Sequence, residues 1–130
     1  MGFTEAIRSG FDHYVKFDGR ASRSAYWWWA LFVFIVVGIV ANVLDGVFGL
    51  QQFREFDGRA YASGGVISSL ATLALLLPGL SVTIRRLHDT DRSGWWWLIN
   101  FIPIIGWIVF LYFMVARGTP GPNRFGPPTP

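Results

Sequence analysis

Residues Tyr26 to Leu44 read YWWWALFVFIVVGIVANVL, 19 residues in which Asn42 is the one strongly polar side chain. As a helix rising 1.5 Å per residue, this stretch spans about 28 Å, close to the hydrocarbon thickness of a bilayer. Two further stretches have the same character. Val66 to Ile84 carries Ser68, Ser69, Thr72, Ser81 and Thr83, small hydroxyls able to bond back to their own helix, with a kink expected at Pro78. Trp95 to Val115 contains Asn100, Pro103 and Gly106. A chain of 130 residues cannot bury three such helices under covering layers of its own.

The expected organisation is therefore one membrane domain over 1–130. Its fold class is an all-α integral membrane protein with three transmembrane helices, at about 26–44, 66–84 and 95–115. An amphipathic helix at about 3–16 precedes them, because Phe3, Ile7, Phe11, Tyr14 and Val15 recur at helical steps with Glu5, Arg8, Asp12 and Lys16 between them. This helix either lies in the membrane interface or packs on the ends of the bundle. The Gly/Pro-rich tail 117–130 is expected to be extended or looped. Five glycines between Asp45 and Gly65 predict an irregular loop. The word FDGRA occurs at Phe17–Ala21 and again at Phe56–Ala60, but the flanking residues do not match, so no repeated unit is inferred.

Composition agrees with a membrane class: mean hydropathy is +0.40, and the 15% of charged residues crowd between the apolar stretches. About 25 residues with polar and charged side chains precede the first stretch and no small-residue cleavage site follows it, so a secretory signal fits poorly. There is no cysteine, which excludes disulfides and a thiol nucleophile. Ten Arg and one Lys oppose eight acids. The guanidinium fork suits phosphate and carboxylate, and no basic run lies away from the membrane flanks, so nucleic acid is not an expected partner.

With three crossings, Arg8, Lys16, Arg20, Arg23, Arg85, Arg86 and Arg92 share one side, and Arg54, Arg59, Arg117 and Arg124 share the other. The excess places the N-terminus in the cytoplasm. The triplets Trp27–Trp29 and Trp95–Trp97 then meet the same interface, as an aromatic belt would. A rival topology turns the third segment into a short hairpin at Pro103 to Gly106 and returns the tail to the cytoplasm.

Three motifs stand out: FDGRASRSAYW at Phe17–Trp27, RRLHDTDRSGWWWL at Arg85–Leu98 and GTPGPNRFG at Gly118–Gly126. In order and spacing they resemble the YhaH/YhaI-like family of small bacterial inner-membrane proteins, a domain of unknown function (DUF805), over about Tyr14 to Pro127. The resemblance implies a bacterial inner-membrane location and a helical fold, and it implies no established activity.

The middle motif is the richest in chemistry. Arg85 and Arg86 suit membrane anchoring, and Asp91 or Ser93 suits a cap on the next helix. Candidates for holding an anion or a partner are Arg20, Arg23, Arg85, Arg86, Arg92, Asn123 and Arg124. The two motifs before the Trp triplets are expected to form one cluster, with Arg and Asp in a partly buried network. The leading expectation is a noncatalytic module binding anionic lipid headgroups, with a protein partner or a homo-oligomer as the other possible associate. An enzyme acting on a phosphate-containing headgroup would use His88 and Asp89 as an acid/base pair, but no convincing nucleophile accompanies them. His13 is the one other histidine, so no metal site and no cofactor are expected. No Asp, Glu, Lys, Arg or His lies within the three stretches, which argues against a carrier acting alone and leaves a subunit of an oligomeric transporter as a further alternative. Asn42 and Asn100 are expected to bond between helices.

Overall fold

The computed structural model describes residues 2–128, without the side chains of 51–54, 56 and 59–64. Arg54 and Arg59 of the charge tally, and the last two residues of the tail, therefore lie outside the described residues. The chain forms two compact units, Met1–Ala30 with Leu77–Pro130, and Leu31–Leu76. Helix α1 is Phe3–Asp12, α2 is Arg23–Val47 and α3 is Val66–Asp89. A 3-10 helix Gly94–Phe101 and α4, Ile105–Val115, complete the helices. Among the described residues, α2 and α3 are the helices long and apolar enough to cross a membrane.

The expected third span, 95–115, is not one helix. The chain reverses between the 3-10 helix and α4, where Ile104 holds a φ of 64°. Pro103 has no N–H to continue a ladder, and Gly106 sits so close to the Ile99 carbonyl that a Cβ there would approach it to 1.9 Å. The indole of Trp107 donates to the Asn100 carbonyl at 3.0 Å, and the rings of Trp96 and Phe113 meet edge to face at 5.6 Å, so the two halves lie against each other. The 11 residues of α4 measure about 16 Å, roughly half a crossing.

In the unit 31–76, the linker between α2 and α3 is ordered by a two-stranded antiparallel hairpin, β1 Gln51–Phe56 and β2 Arg59–Gly65, where the glycines predict an irregular loop. Its turn is the Asp57-Gly58 of the second FDGRA, with φ of 52° and 73°. The fold is otherwise helical. Asp45, fully buried, caps α3 by accepting from the Ile67 and Ser68 amides at 2.7 and 3.0 Å. Gly65 gives it room, since a Cβ there would fall about 2.0 Å from the carboxylate.

Asn42 and Asn100 serve their own segments, whereas Ser81, expected to bond back to its own helix, donates instead to the chain after α1. Residues Val36–Ala41 of α2 form a π-helical turn, and the Asn42 amide donates back to the Val37 and Gly38 carbonyls at 2.8 and 3.2 Å. Asn100 donates to the Trp97 carbonyl at 2.9 Å. The interhelical bonds expected of both asparagines are thus replaced by local ones, because wide or tight turns leave carbonyls within reach.

In the other unit, α1 lies on the start of α2. Phe3 meets Trp28 and Phe11 meets Trp29 edge to face, at 5.6 and 5.3 Å, while Gly10 admits the Trp29 ring where a Cβ would clash at 2.3 Å. The helix ends at Asp12, short of the expected 16, and the buried Ser81 hydroxyl on α3 takes up the carbonyls of His13 and Lys16 just beyond it. Leu87, Phe113 and Met114 form the buried core, flanked by Tyr26, Trp97, Val109 and Phe110. The first tryptophan triplet divides: Trp29 is buried, while Trp27 and Trp28 are exposed, Trp27 donating to the Met114 carbonyl at 3.1 Å.

Candidate functional site

Helix α3 runs past its apolar stretch into Arg85, Arg86, Leu87, His88 and Asp89, and all five are buried. It stops because Asp91 takes a left-handed conformation, φ 60°, which returns the Arg92 amide to the Leu87 carbonyl at 3.0 Å. Neither Asp91 nor Ser93 provides the expected side-chain cap on the following helix.

Asp89 is the hub. One carboxylate oxygen accepts from Arg20 Nε at 2.9 Å and the other from Arg86 Nη1 at 2.6 Å, with the three side chains between 0% and 4% exposed. Charge-assisted bonds of this kind, made out of water, fix geometry strongly, because any one partner left alone would be a buried unpaired ion. Arg20 spends its remaining donors on the tail: Nη2 reaches the Thr119 carbonyl at 2.7 Å and Nη1 the Gly121 carbonyl at 2.8 Å. Arg86 donates to the Ala116 carbonyl at the end of α4. The Thr119 amide donates to the Asp89 carbonyl at 2.7 Å, the Asn123 amide to the His88 carbonyl at 2.9 Å. Gly118 passes against the carboxylate, where a Cβ would lie 2.1 Å from Asp89 Oδ2. All three motifs therefore converge on the last turn of α3.

His88 faces differently. Gly19, at φ 88°, turns its carbonyl onto His88 Nδ1 at 2.8 Å, and the Phe125 ring stacks on the imidazole at 3.9 Å with an interplanar angle of 1°. The side-chain contacts described for His88, Gly19 and Phe125, differ from those described for Asp89, Arg20 and Arg86.

The remaining candidates divide. Arg85 is buried, its carbonyl accepts from the Ala21 amide at 2.9 Å, and its Nε contacts Ser81 at 3.4 Å. Arg92 lies 4.2 Å over the Phe113 ring. Arg124 pairs with exposed Asp91 at 3.4 Å and covers Phe125. Asn123 is committed to the backbone, through His88 and the Phe125 amide. Arg23 is exposed and opens on a cavity of about 450 Å³ that Ser22, Ser24, Asp89, Arg117 and Thr119 also line. Arg117, Ser22, Ser24 and Thr119 are absent from the candidates read from sequence; the signal for Arg117 is its place directly before GTPGPNRFG. Among the described residues, no three His, Asp or Glu side chains gather as a metal ion would require.

The segment carrying these contacts is the segment shared with other proteins. A family model described as "Protein of unknown function (DUF805)" matches residues 14–127. The chain belongs to the DUF805 family. It is 43% identical over 116 residues to the inner membrane protein YhaH of Escherichia coli (strain K12), covering 88% of each chain. To the inner membrane protein YhaI of that strain it is 44% identical over 114 residues, covering 88% of this chain and 86% of the relative. The uncharacterized protein YiiR of that strain is 29% identical over 94 residues, 72% of this chain and 53% of the relative. No solved structure matches. With two long apolar helices and relatives of this kind, this DUF805 chain is an inner-membrane protein.

Proposed function

We propose that the chain is a noncatalytic membrane module that crosses the bilayer twice and holds the phosphate of an anionic phospholipid at the cavity beside Arg23 and Arg117. The observation that carries this reading is the charge around Asp89: its single carboxylate is already satisfied by buried Arg20 and Arg86, while Arg23 and Arg117 reach the cavity without a carboxylate of their own in the contacts described. Ser22, whose hydroxyl accepts from the Ala25 amide at 3.1 Å, places the start of α2 at the same cavity, so helix dipole and guanidinium charges act in one direction.

The folded-back third segment supports the orientation. With the tail on the side of the N-terminus, that side carries Arg8, Lys16, Arg20, Arg23, Arg85, Arg86, Arg92, Arg117 and Arg124, against Arg54 and Arg59 on the other. Such a bias favours a cytoplasmic N-terminus and a cytoplasmic headgroup site.

The test is lipid retention by the purified protein, read by native mass spectrometry in mixed phosphatidylglycerol and phosphatidylcholine. Native protein retains phosphatidylglycerol preferentially. Arg23→Gln with Arg117→Gln lowers that preference roughly tenfold or more, as loss of two interfacial cations requires, with unfolding temperature unchanged. An unchanged preference in that variant would overturn the reading.

A further inference from the structure

A second cavity, of about 390 Å³, lies on the opposite kind of surface: Phe17, Leu80, Ile84, Trp95, Trp97 and Leu98 form its walls, and His88 is the one ionisable side chain on it. His88 is 8% exposed and rotationally fixed, by the Gly19 carbonyl at Nδ1 and by the Phe125 ring on its face. A carbonyl accepts only, so Nδ1 carries the proton and Nε2 of the neutral ring is an acceptor. Among the described residues nothing donates to Nε2, and the His88 side chain is part of the cavity lining. An unpartnered acceptor on a side chain that lines an apolar cavity is a place for a ligand's donor.

We propose that this cavity binds a membrane-soluble phenolic ring, the chemistry of an alkylphenol or a quinol, with His88 Nε2 accepting the ring hydroxyl. The volume holds about a dozen water-sized groups at roughly 30 Å³ each, enough for a substituted ring and too little for a branched diacyl body. Three aromatic walls favour a flat aromatic guest, which gains offset or edge-on ring contacts that an alkyl chain does not. Trp95, 78% exposed, stands at the cavity and gives an apolar tail a continuous surface to follow. The site is separate from Arg23 and Arg117, which makes its test independent of the headgroup reading.

The experiment is photolabelling of the full chain in nanodiscs with a diazirine-bearing alkylphenol, mapped by mass spectrometry, in competition with 4-nonylphenol, 4-nonylanisole and 1-dodecanol. Labelling maps to Trp95–Leu98. Nonylphenol competes about five- to tenfold better than nonylanisole, the margin of one hydrogen bond, and dodecanol competes less well than nonylphenol. His88→Phe, which keeps a flat ring for Phe125, erases the phenol–anisole difference. His88→Gln, which keeps an acceptor, retains it, and Leu98→Trp removes labelling by filling the cavity. An unfolding temperature in detergent close to that of the native protein shows each variant to be folded. Equal competition by phenol and anisole in the native protein, dodecanol competing as well as phenol, or labelling that survives Leu98→Trp would each overturn the proposal.

Discussion

Arg20 and Asp89 lie 69 residues apart in sequence and 2.9 Å apart in space, with side chains 2% and 4% exposed. The same guanidinium holds the Thr119 and Gly121 carbonyls. One side chain thereby joins the segment before α2, the end of α3 and the tail.

Removing one member of this cluster should cost far more than removing the charges together. Asp89→Ala leaves Arg20 and Arg86 buried without a carboxylate, and a loss of about 3 to 5 kcal/mol is expected. Arg20→Met and Arg86→Met combined with Asp89→Leu remove all three charges at similar volume and should cost markedly less than Asp89→Ala. Thermal unfolding in detergent measures both. Equal destabilisation by the two variants would mean that the ion pairs do not organise this end of the molecule.

The buried cap in the 31–76 unit makes a second prediction. Asp45→Ala frees the Ile67 and Ser68 amides and should destabilise by about 1 to 2 kcal/mol, the usual loss of a helix cap. Gly65→Ala drives a methyl group into the Asp45 carboxylate and should cost about 1 to 3 kcal/mol by overpacking. The two should be non-additive, because Asp45→Ala vacates the space the methyl needs. Unfolding midpoints of the single and double variants check this, and strict additivity would count against the contact.

Gly58 occupies a left-handed position at the tip of the hairpin, and a Cβ placed there would meet nothing within 4 Å. Gly58→Ala is therefore a purely conformational change and should cost about 1 to 2 kcal/mol, whereas Gly2→Ala, where φ is −85°, should cost little. Hydrogen exchange of the 51–65 amides reads the local effect.

Much of this arrangement is legible in the residues. Tyr26–Leu44 and Val66–Ile84 are long enough and apolar enough to fix α2 and α3, since length against bilayer thickness is a strong criterion. The placement of Arg and Asp before each tryptophan triplet points to a shared cluster, which the contacts of Arg20 with Asp89 make. The third stretch misleads because composition does not distinguish a 21-residue apolar helix from two short ones; Pro103 and Gly106 carry the information, and their weight depends on the close approach to Ile99. Asp57-Gly58 is a hairpin signal that the surrounding glycines disguise. Asp45 reads as the first loop residue because capping of a helix 22 positions away is not a local pattern. Arg117 escapes notice because its neighbourhood exists only once the tail has folded back.

The account depends most on that return of the tail. The absence of cysteine permits single thiols at Arg8, Asp57 and Pro122, each replaced by Cys in turn and probed with a membrane-impermeant maleimide in intact cells. The account predicts labelling at position 57 and protection at both 8 and 122, with all three reacting once the membrane is opened. Protection at 8 with labelling at 122 would put the tail across the bilayer, restore a third crossing and contradict the assembly of the three motifs on one cytoplasmic face.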